Sequence, residues 1–468
     1  MEALPNDMKS LPPACPGCAA RDRQIAELQA HGAILEARLA KLEAAARASK
    51  RQAAPFSKGP PKADPKTPGR KSGKDYGTHH RRAVPSRIDE VLEAPLPERC
   101  PYCSGELVQT EVAQQYQTEI PRRTIHRQFN VCVGECCGCH RRVQGRHPLQ
   151  TSDALGAAAS QIGPDAQALA VQLNKEAGLS HGKVRRFFKA AFDMELSRAT
   201  PCRVMLRAAV RCEPVYQAIV QRVRQSPFIV PDETGWRIGG VLAWLHVAVG
   251  LDATAYLVHR RRGYEAAVEL IGADYEGSLT HDAWSPYLQF TYALHQTCVG
   301  HLLRRSHELE ESAVGGAVHF PRQVKAILQD ALAVRDRRDA GELTPQQALE
   351  QAKIFSRRMS ELTCRPRDNA DNERFANHLW NLQESLFTFL EFEGVDATNY
   401  KAEQAIRPAT ANRKVWGGNR TDPGAQAQSI LMSVIRTTAQ RGIEAVNFIS
   451  STLKACLGSR PQLFPDTG

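Results

Sequence analysis

The spacing of apolar residues changes character several times along the chain, and each change marks an element. Within 22–46, Ile25, Leu28, Leu35, Leu39 and Leu42 fall on heptad a and d positions, which predicts a coiled-coil helix over 19–49 with a seam interrupted by His31 and Gly32. So short a seam suits a helix that depends on a partner. Apolar periodicity then stops. Residues 50–92, including "SKGPPKADPKTPGRKSGK" and "HHRRAVPSR", are rich in Pro, Gly and cations and read as a disordered basic linker, either a spacer or a phosphate-tracking arm. Helical periodicity returns over 160–215. It predicts one helix, a "GLS" turn, a second and basic helix, and a third opened by Thr200 and Pro201, the order of a helix-turn-helix.

Beyond Ser226 the pattern becomes that of strands. In "SPFIVPDETGWRIGG" the apolar run 228–230, bounded by Pro, predicts a buried strand with Asp232 and Glu233 at its tip. A carboxylate there is costly unless a cation meets it. Two more strands follow at 241–250 and 253–261, then a helix around 264–271. A short run precedes Asp282 in "GSLTHDAWSPY", and "TYALHQTCVGHLLRR" supplies a fifth strand and a helix. The order βββαβαβα is the ribonuclease H-like arrangement, which sets the tips of the first and fourth strands side by side, so Asp232 and Asp282 can converge on one cation.

Residues 311–395 are helical by pattern. Thr344, Pro345 and Gln347 form a capping-box start, and Phe375, Leu379, Leu382 and Leu386 make an apolar stripe that reads as core. These helices look inserted, because a last helix follows in "ATNYKAEQAIRPATANRKVWGGNR", where Glu403 and Arg407 share a face with Arg413 and Lys414 just beyond. The expected fold is multidomain α+β. It comprises the N-terminal coiled-coil helix, a zinc ribbon over 93–145, the helix-turn-helix region, and a ribonuclease H-like catalytic core over 224–310 and 396–454 that is interrupted by the helical insertion; a tail occupies 455–468.

Composition adds the partner. A net charge of +11 over 468 residues implies an anionic partner, with nucleic acid ahead of a membrane surface. No window of about 20 apolar residues predicts a membrane span, and "MEALPNDMKSLPPACPGC" has no secretory pattern. The expected location is the cytoplasm. Phosphate-seeking charge lies on the second helix of the helix-turn-helix, at Lys183, Arg185 and Arg186, and around the last helix, at Arg407, Arg413 and Lys414.

Thirteen cysteines, an odd number in a chain without an export signal, point to thiols and metal sites rather than disulfides. Cys100 and Cys103 in "CPYC", with Cys136 and Cys139 after a long spacer, have the C-x2-C…C-x2-C spacing that brings four thiolates to one structural Zn²⁺. Cys132, Cys137 or His140 can replace one ligand. Cys15 and Cys18 form a lone pair, and Cys298 with His301 in "CVGH" reads as packing at a helix start or as an added metal ligand.

Two aspartates and a glutamate on separate elements suit two-metal phosphoryl transfer, in which hard oxygen ligands hold two Mg²⁺ (or Mn²⁺) ions. Three uncompensated carboxylates within about 4 Å repel at roughly 4 kcal/mol per pair at an effective dielectric near 20, so the set predicts a cation.

The motifs "DETGWR", "HDAWSPY", "CVGHLLRR" and "TNYKAEQAIRPATANRKVWGGNR", behind a "CPYC…CCGC" ribbon, resemble the bacterial insertion sequence 66 family of DDE transposases over nearly the whole chain. Carried over motif by motif, the resemblance implies the catalytic triad Asp232, Asp282 and Glu403. Glu233 matches an acid of the family pattern outside that triad. Ala283 stands where some members have Gly, and Tyr400 follows Asn399 where some have a second Asn. The resemblance also implies binding of the element's inverted ends, strand cleavage by activated water and joining of the freed 3′ ends to target DNA. A homo-oligomer in the DNA complex and accessory proteins encoded by the same element belong to the same expectation. The contrasting expectations are a catalytically inactive zinc-containing DNA-binding protein derived from a transposase, and a ribonuclease H-type nuclease without strand transfer.

Overall fold

The computed structural model describes residues 84–118, 120, 124–147, 149–150, 154–155, 162–455 and 461–464, with isolated helical positions between 25 and 39. Most of the coiled-coil stretch, Cys15 and Cys18, the linker up to residue 83 and parts of the tail therefore lie outside the described residues. Of the heptad positions, Ile25, Leu28 and Leu39 are helical and exposed. The chain divides into two units, Met1–Ile120 and Pro121–Gly468.

In the first unit, residues 84–118 are irregular apart from a turn around Cys100 and Cys103. The spacer after "CPYC" forms no strand among the described residues of this unit. The second unit opens on a short hairpin, β1 (Val133–Glu135) with β2 (Arg142–Gln144), paired antiparallel.

Three helices follow: α1 (Pro164–Lys175), α2 (His181–Phe192) and α3 (Thr200–Arg224). The Ser180 hydroxyl caps α2 by accepting the Lys183 N–H, and Val184 and Phe188 bury its inner face beside Val171 and Val204. Helix α3 leads into a five-stranded sheet of β3 (Phe228–Ile238), β4 (Val241–Val249), β5 (Thr254–His259), β6 (Ser278–His281) and β7 (Leu294–Thr297), with α4 (Tyr264–Ile271) between β5 and β6. The strand order is β5-β4-β3-β6-β7. The β3–β4 and β4–β5 pairs are antiparallel, and the β3–β6 and β6–β7 pairs are parallel.

The helices α5 (Val299–Ser312), α6 (His319–Asp339), α7 (Pro345–Thr363), α8 (Ala370–Asn381) and α9 (Thr388–Glu391) enclose a core of their own that contains Phe375, Leu379, Leu382 and Leu386. Both halves of the Thr344–Gln347 capping box form at the start of α7. The chain returns to the sheet through α10 (Tyr400–Trp416), α11 (Asp422–Gln440) and α12 (Ala445–Lys454). Ala402, Ala405, Ile406 and Ala409 of α10 pack on Val230, Trp236 and Leu245, so small side chains bring this helix close to the sheet.

Helix α11 closes the β5 edge. The outward N–H groups of Thr254, Tyr256 and Val258 donate to Thr437 Oγ1 (3.0 Å), Ser433 Oγ (2.8 Å) and Ser429 Oγ (2.8 Å). These hydroxyls recur every four residues, one per helical turn, so a single face of α11 satisfies every second strand amide and shields the edge from further pairing. Among the described residues no helix is long and apolar enough to cross a membrane.

Candidate functional site: acids where two strands part

The strand holding Asp232 is longer than the apolar run predicts. Pairing of β3 with β6 covers only Phe228↔Ser278 and Ile229↔Leu279, whereas pairing with β4 runs on to Ile238↔Val241. Pro231 follows the last β3–β6 pair by two residues and offers no N–H, so the proline marks the end of pairing on one side only. Asp232 is therefore not at a strand tip; it sits mid-strand, where β6 has parted from β3 while still pairing with β7. The register that matches Phe228 with Ser278 carries Asp232 level with Asp282, the first residue after β6.

Strand alternation separates the two adjacent acids. Asp232 shares a face with Val230 and Trp236, the face covered by α10, whose first turn carries Glu403. Burial, reinforced by Glu233, Asp282 and Glu403, pushes the Asp232 carboxyl up to about 7, against a single bond from the Glu233 N–H that favours its ionised form. Glu233 turns to the other face, where its side chain is only 2% exposed. There Arg262 donates to Oε1 at 2.8 and 3.0 Å, and the Tyr287 hydroxyl donates to Oε2 at 2.6 Å. The Arg262 guanidinium also lies over the rings of Trp244 (4.6 Å) and Trp284 (4.5 Å). Burial still raises the Glu233 carboxyl, but its oxygens are occupied by protein donors and those of Asp232 largely are not.

Asp282 is held by the turn after β6. Its Oδ1 accepts the Trp284 N–H at 3.0 Å, with Ala283 between them in the left-handed region (φ 68°). Buried His281 fixes the strand end: Nδ1 accepts the Ala283 N–H at 3.0 Å, which leaves Nε2–H to donate to His295 Nδ1 at 2.9 Å, and His295 Nε2–H to donate to the Phe290 carbonyl at 3.0 Å. Burial, with His295 adding to it, lowers His281 to about 3, so the pair stays neutral.

Cys298 and His301 take different parts. Cys298 Sγ donates to Asn399 Oδ1 at 3.2 Å and accepts the Asn399 N–H at 3.3 Å, joining the starts of α5 and α10; His301 Nε2 lies 3.9 Å from Glu403 Oε1. Among the predicted cations, Arg413 reaches Thr234 Oγ1 at 3.4 Å, two residues beyond Asp232 on the same face, and Arg407 and Lys414 are exposed on α10. Lys183, Arg185 and Arg186 are exposed on α2. Sequence reasoning missed Arg262, which lies 29 residues from Glu233, and it passed over His281 and Tyr287, which flank Asp282 in "HDAWSPY" but, like His295, follow no periodic pattern that would assign them partners.

Each cysteine pair forms a knuckle. In the first unit Ser104 N–H donates to Cys100 O at 2.8 Å, with Ser104 at φ 60°; in the second His140 N–H donates to Cys136 O at 2.9 Å, with His140 at φ 54°. Backbone N–H groups of Tyr102 and Cys103 lower the Cys100 thiol, and those of Cys139 and Gly138 lower Cys136, which favours thiolates. Among the described residues no three His, Cys, Asp or Glu side chains already form a metal-binding group.

The fold and these acids define a chain with its polar chemistry gathered where α10 meets the parting strands. The family model for the IS66 family of transposases matches residues 159–427, and the chain belongs to that family. A search of curated proteins finds no match.

Proposed function

We propose that the chain is a DDE transposase that binds the inverted ends of its insertion sequence, cleaves DNA strands and joins the 3′ ends to target DNA, with Asp232, Asp282 and Glu403 as the catalytic ligands. The observation that carries this is the unmet charge of Asp232. A half-buried acid raised to about 7 by burial and by its acidic neighbours has the environment that a divalent cation relieves. A pair of Mg²⁺ or Mn²⁺ ions, when bound, activates the attacking oxygen and stabilises the leaving one. The β5-β4-β3-β6-β7 order, with its first two pairings antiparallel and its last two parallel, supports the reading of a ribonuclease H-like core. All three acids are present, so the inactive DNA-binding alternative is not favoured.

The chain's own residues supply positioning. The Trp284 N–H and the neutral His281–His295 pair hold Asp282, and Arg262 with Tyr287 keep Glu233 away from the reacting side. Exposed Lys183, Arg185, Arg186, Arg407 and Lys414, with Arg413, suit DNA phosphates, and α1 to α3 suit a helix-turn-helix. The thiols of Cys100, Cys103, Cys136 and Cys139 suit one structural Zn²⁺. A homo-oligomer on DNA, accessory proteins from the same element and a cytoplasmic location complete the reading.

The test is cleavage of duplex DNA bearing the element's ends. Asp232→Asn, Asp282→Asn and Glu403→Gln should each lower cleavage and strand transfer by orders of magnitude while retaining end binding, and Glu233→Gln should be much milder. Normal cutting by the three triad variants would refute the mechanism.

A further inference from the structure

His301 sits in the first turn of α5, and that turn is pinned on both sides. The Cys298 N–H donates to the His281 carbonyl at 2.7 Å, next to Asp282, and the Val299 N–H donates to the Ala397 carbonyl at 2.9 Å, just before α10. The thiol–Asn399 pair adds a third tie. The place of His301 relative to Glu403 is therefore set by backbone and not by a free rotamer alone. Its ring is 32% exposed and Glu403 31%, so the two meet at the open margin of the acid cluster.

The imidazole nitrogens differ. Nδ1 is buried with no hydrogen-bond partner among the described residues, and a buried N–H without an acceptor is costlier than an unused lone pair. The neutral ring thus carries its hydrogen on Nε2, which faces Glu403. At 3.9 Å the two atoms are not hydrogen-bonded, and a movement of about 1 Å in either side chain makes them so. A packing histidine would have its buried nitrogen satisfied; this one keeps its only usable donor for the acid.

We propose that His301 is the positioning residue of Glu403: its Nε2–H holds one carboxylate oxygen and leaves the other turned toward a divalent cation. The inference rests on the metal-dependent reading above. It assigns separate tasks within "CVGH", with Cys298 locking two helix starts and His301 orienting the acid, so the two are not a ligand pair for one metal.

The experiment is Mn²⁺ binding to the full chain without DNA, followed by the electron paramagnetic resonance signal of free Mn²⁺ at pH 8, with melting temperature measured alongside. Loss of such a supporting partner costs roughly tenfold or more in metal affinity. His301→Ala should therefore weaken Mn²⁺ binding about tenfold with an unchanged melting temperature, and His301→Gln, whose amide N–H reaches similarly far, should stay within about threefold of wild type. Wild-type binding in His301→Ala, alongside lost binding in Asp232→Asn, would overturn the role of His301 alone. Equal weakening in the Ala and Gln variants would also overturn it, since packing then explains both. Wild-type binding in Asp232→Asn would instead remove the metal site itself, and the proposed function with it.

Discussion

The two flanks of the sheet treat their polar groups in opposite ways. Along β5 every second amide meets a hydroxyl of α11, and those hydroxyls in turn serve carbonyls, as Ser433 Oγ does by donating to Ser429 O at 2.7 Å. Where β3 and β6 part, the Asp232 carboxyl is raised by burial and by Glu233, Asp282 and Glu403, and it accepts a single bond, from the Glu233 N–H. An edge that must stay closed is satisfied from within the chain. At the candidate site Asp232 is left with acidic neighbours and little compensation among the described residues. Glu233 shows that the difference is deliberate in its geometry: one residue away, the same chemistry is fully engaged by Arg262 and Tyr287.

The largest effect should come from opening the closed flank. Ser429→Ala, Ser433→Ala and Thr437→Val together strand three strand amides, each costing about 1–3 kcal/mol, so the triple variant should lose roughly 3–9 kcal/mol in urea denaturation. A loss below about 1 kcal/mol would mean that water serves the edge as well as α11 does.

A buried cation elsewhere sharpens the comparison. Lys175 on α1 has Gln428 Oε1 at 2.6 Å and the Trp416 ring at 5.7 Å, and burial lowers it to about 7. Its unfolded value is near 10.4, so between about 7 and 10 the unfolded chain binds more protons and stability rises with pH. Wild type should gain about 2 kcal/mol more than Lys175→Met between pH 7 and pH 9. Parallel pH profiles would show that Lys175 titrates normally.

The smallest effect concerns the turn after β6. Ala283 at φ 68° occupies a region that costs a residue with a Cβ about 1–2 kcal/mol, partly offset by the extra chain entropy of Gly. Ala283→Gly should stabilise the chain by about 0.5–1 kcal/mol in the same denaturation assay. Destabilisation would mean that the Ala283 methyl matters more to packing than its backbone strain.

Features written in local periodicity were legible in the sequence. The helix expected around 264–271 is α4, and the Thr344 capping box and the 375–386 stripe form as their spacing implied. The C-x2-C pairs were legible as spacing alone; the tight turns they form, closed by left-handed Ser104 and His140, left no separate signal. The extent of β3 was misread because Pro231 ends pairing with β6 while the ladder to β4 continues. Alternation along β3 already required Asp232 and Glu233 to face opposite ways. Which of them meets α10 depended on the partners Arg262 and Tyr287, 29 and 54 residues distant, and on the close approach of Ala402, Ala405 and Ala409, none of which leaves a local signal.

The central claim is that Asp232 carries charge the fold leaves unmet for a cation to neutralise. Its folded pKa of about 7 lies above the unfolded value near 3.9, so the native state holds the extra proton and stability falls as pH rises from about 4 to 7. The direct measurement is thermal melting at pH 8 of wild type and Asp232→Asn, with and without Mg²⁺. Without metal the Asn variant should be the more stable by about 2 kcal/mol, and Mg²⁺ should raise wild type while leaving the variant nearly unmoved. A less stable Asn variant, with both proteins raised equally by Mg²⁺, would contradict the account.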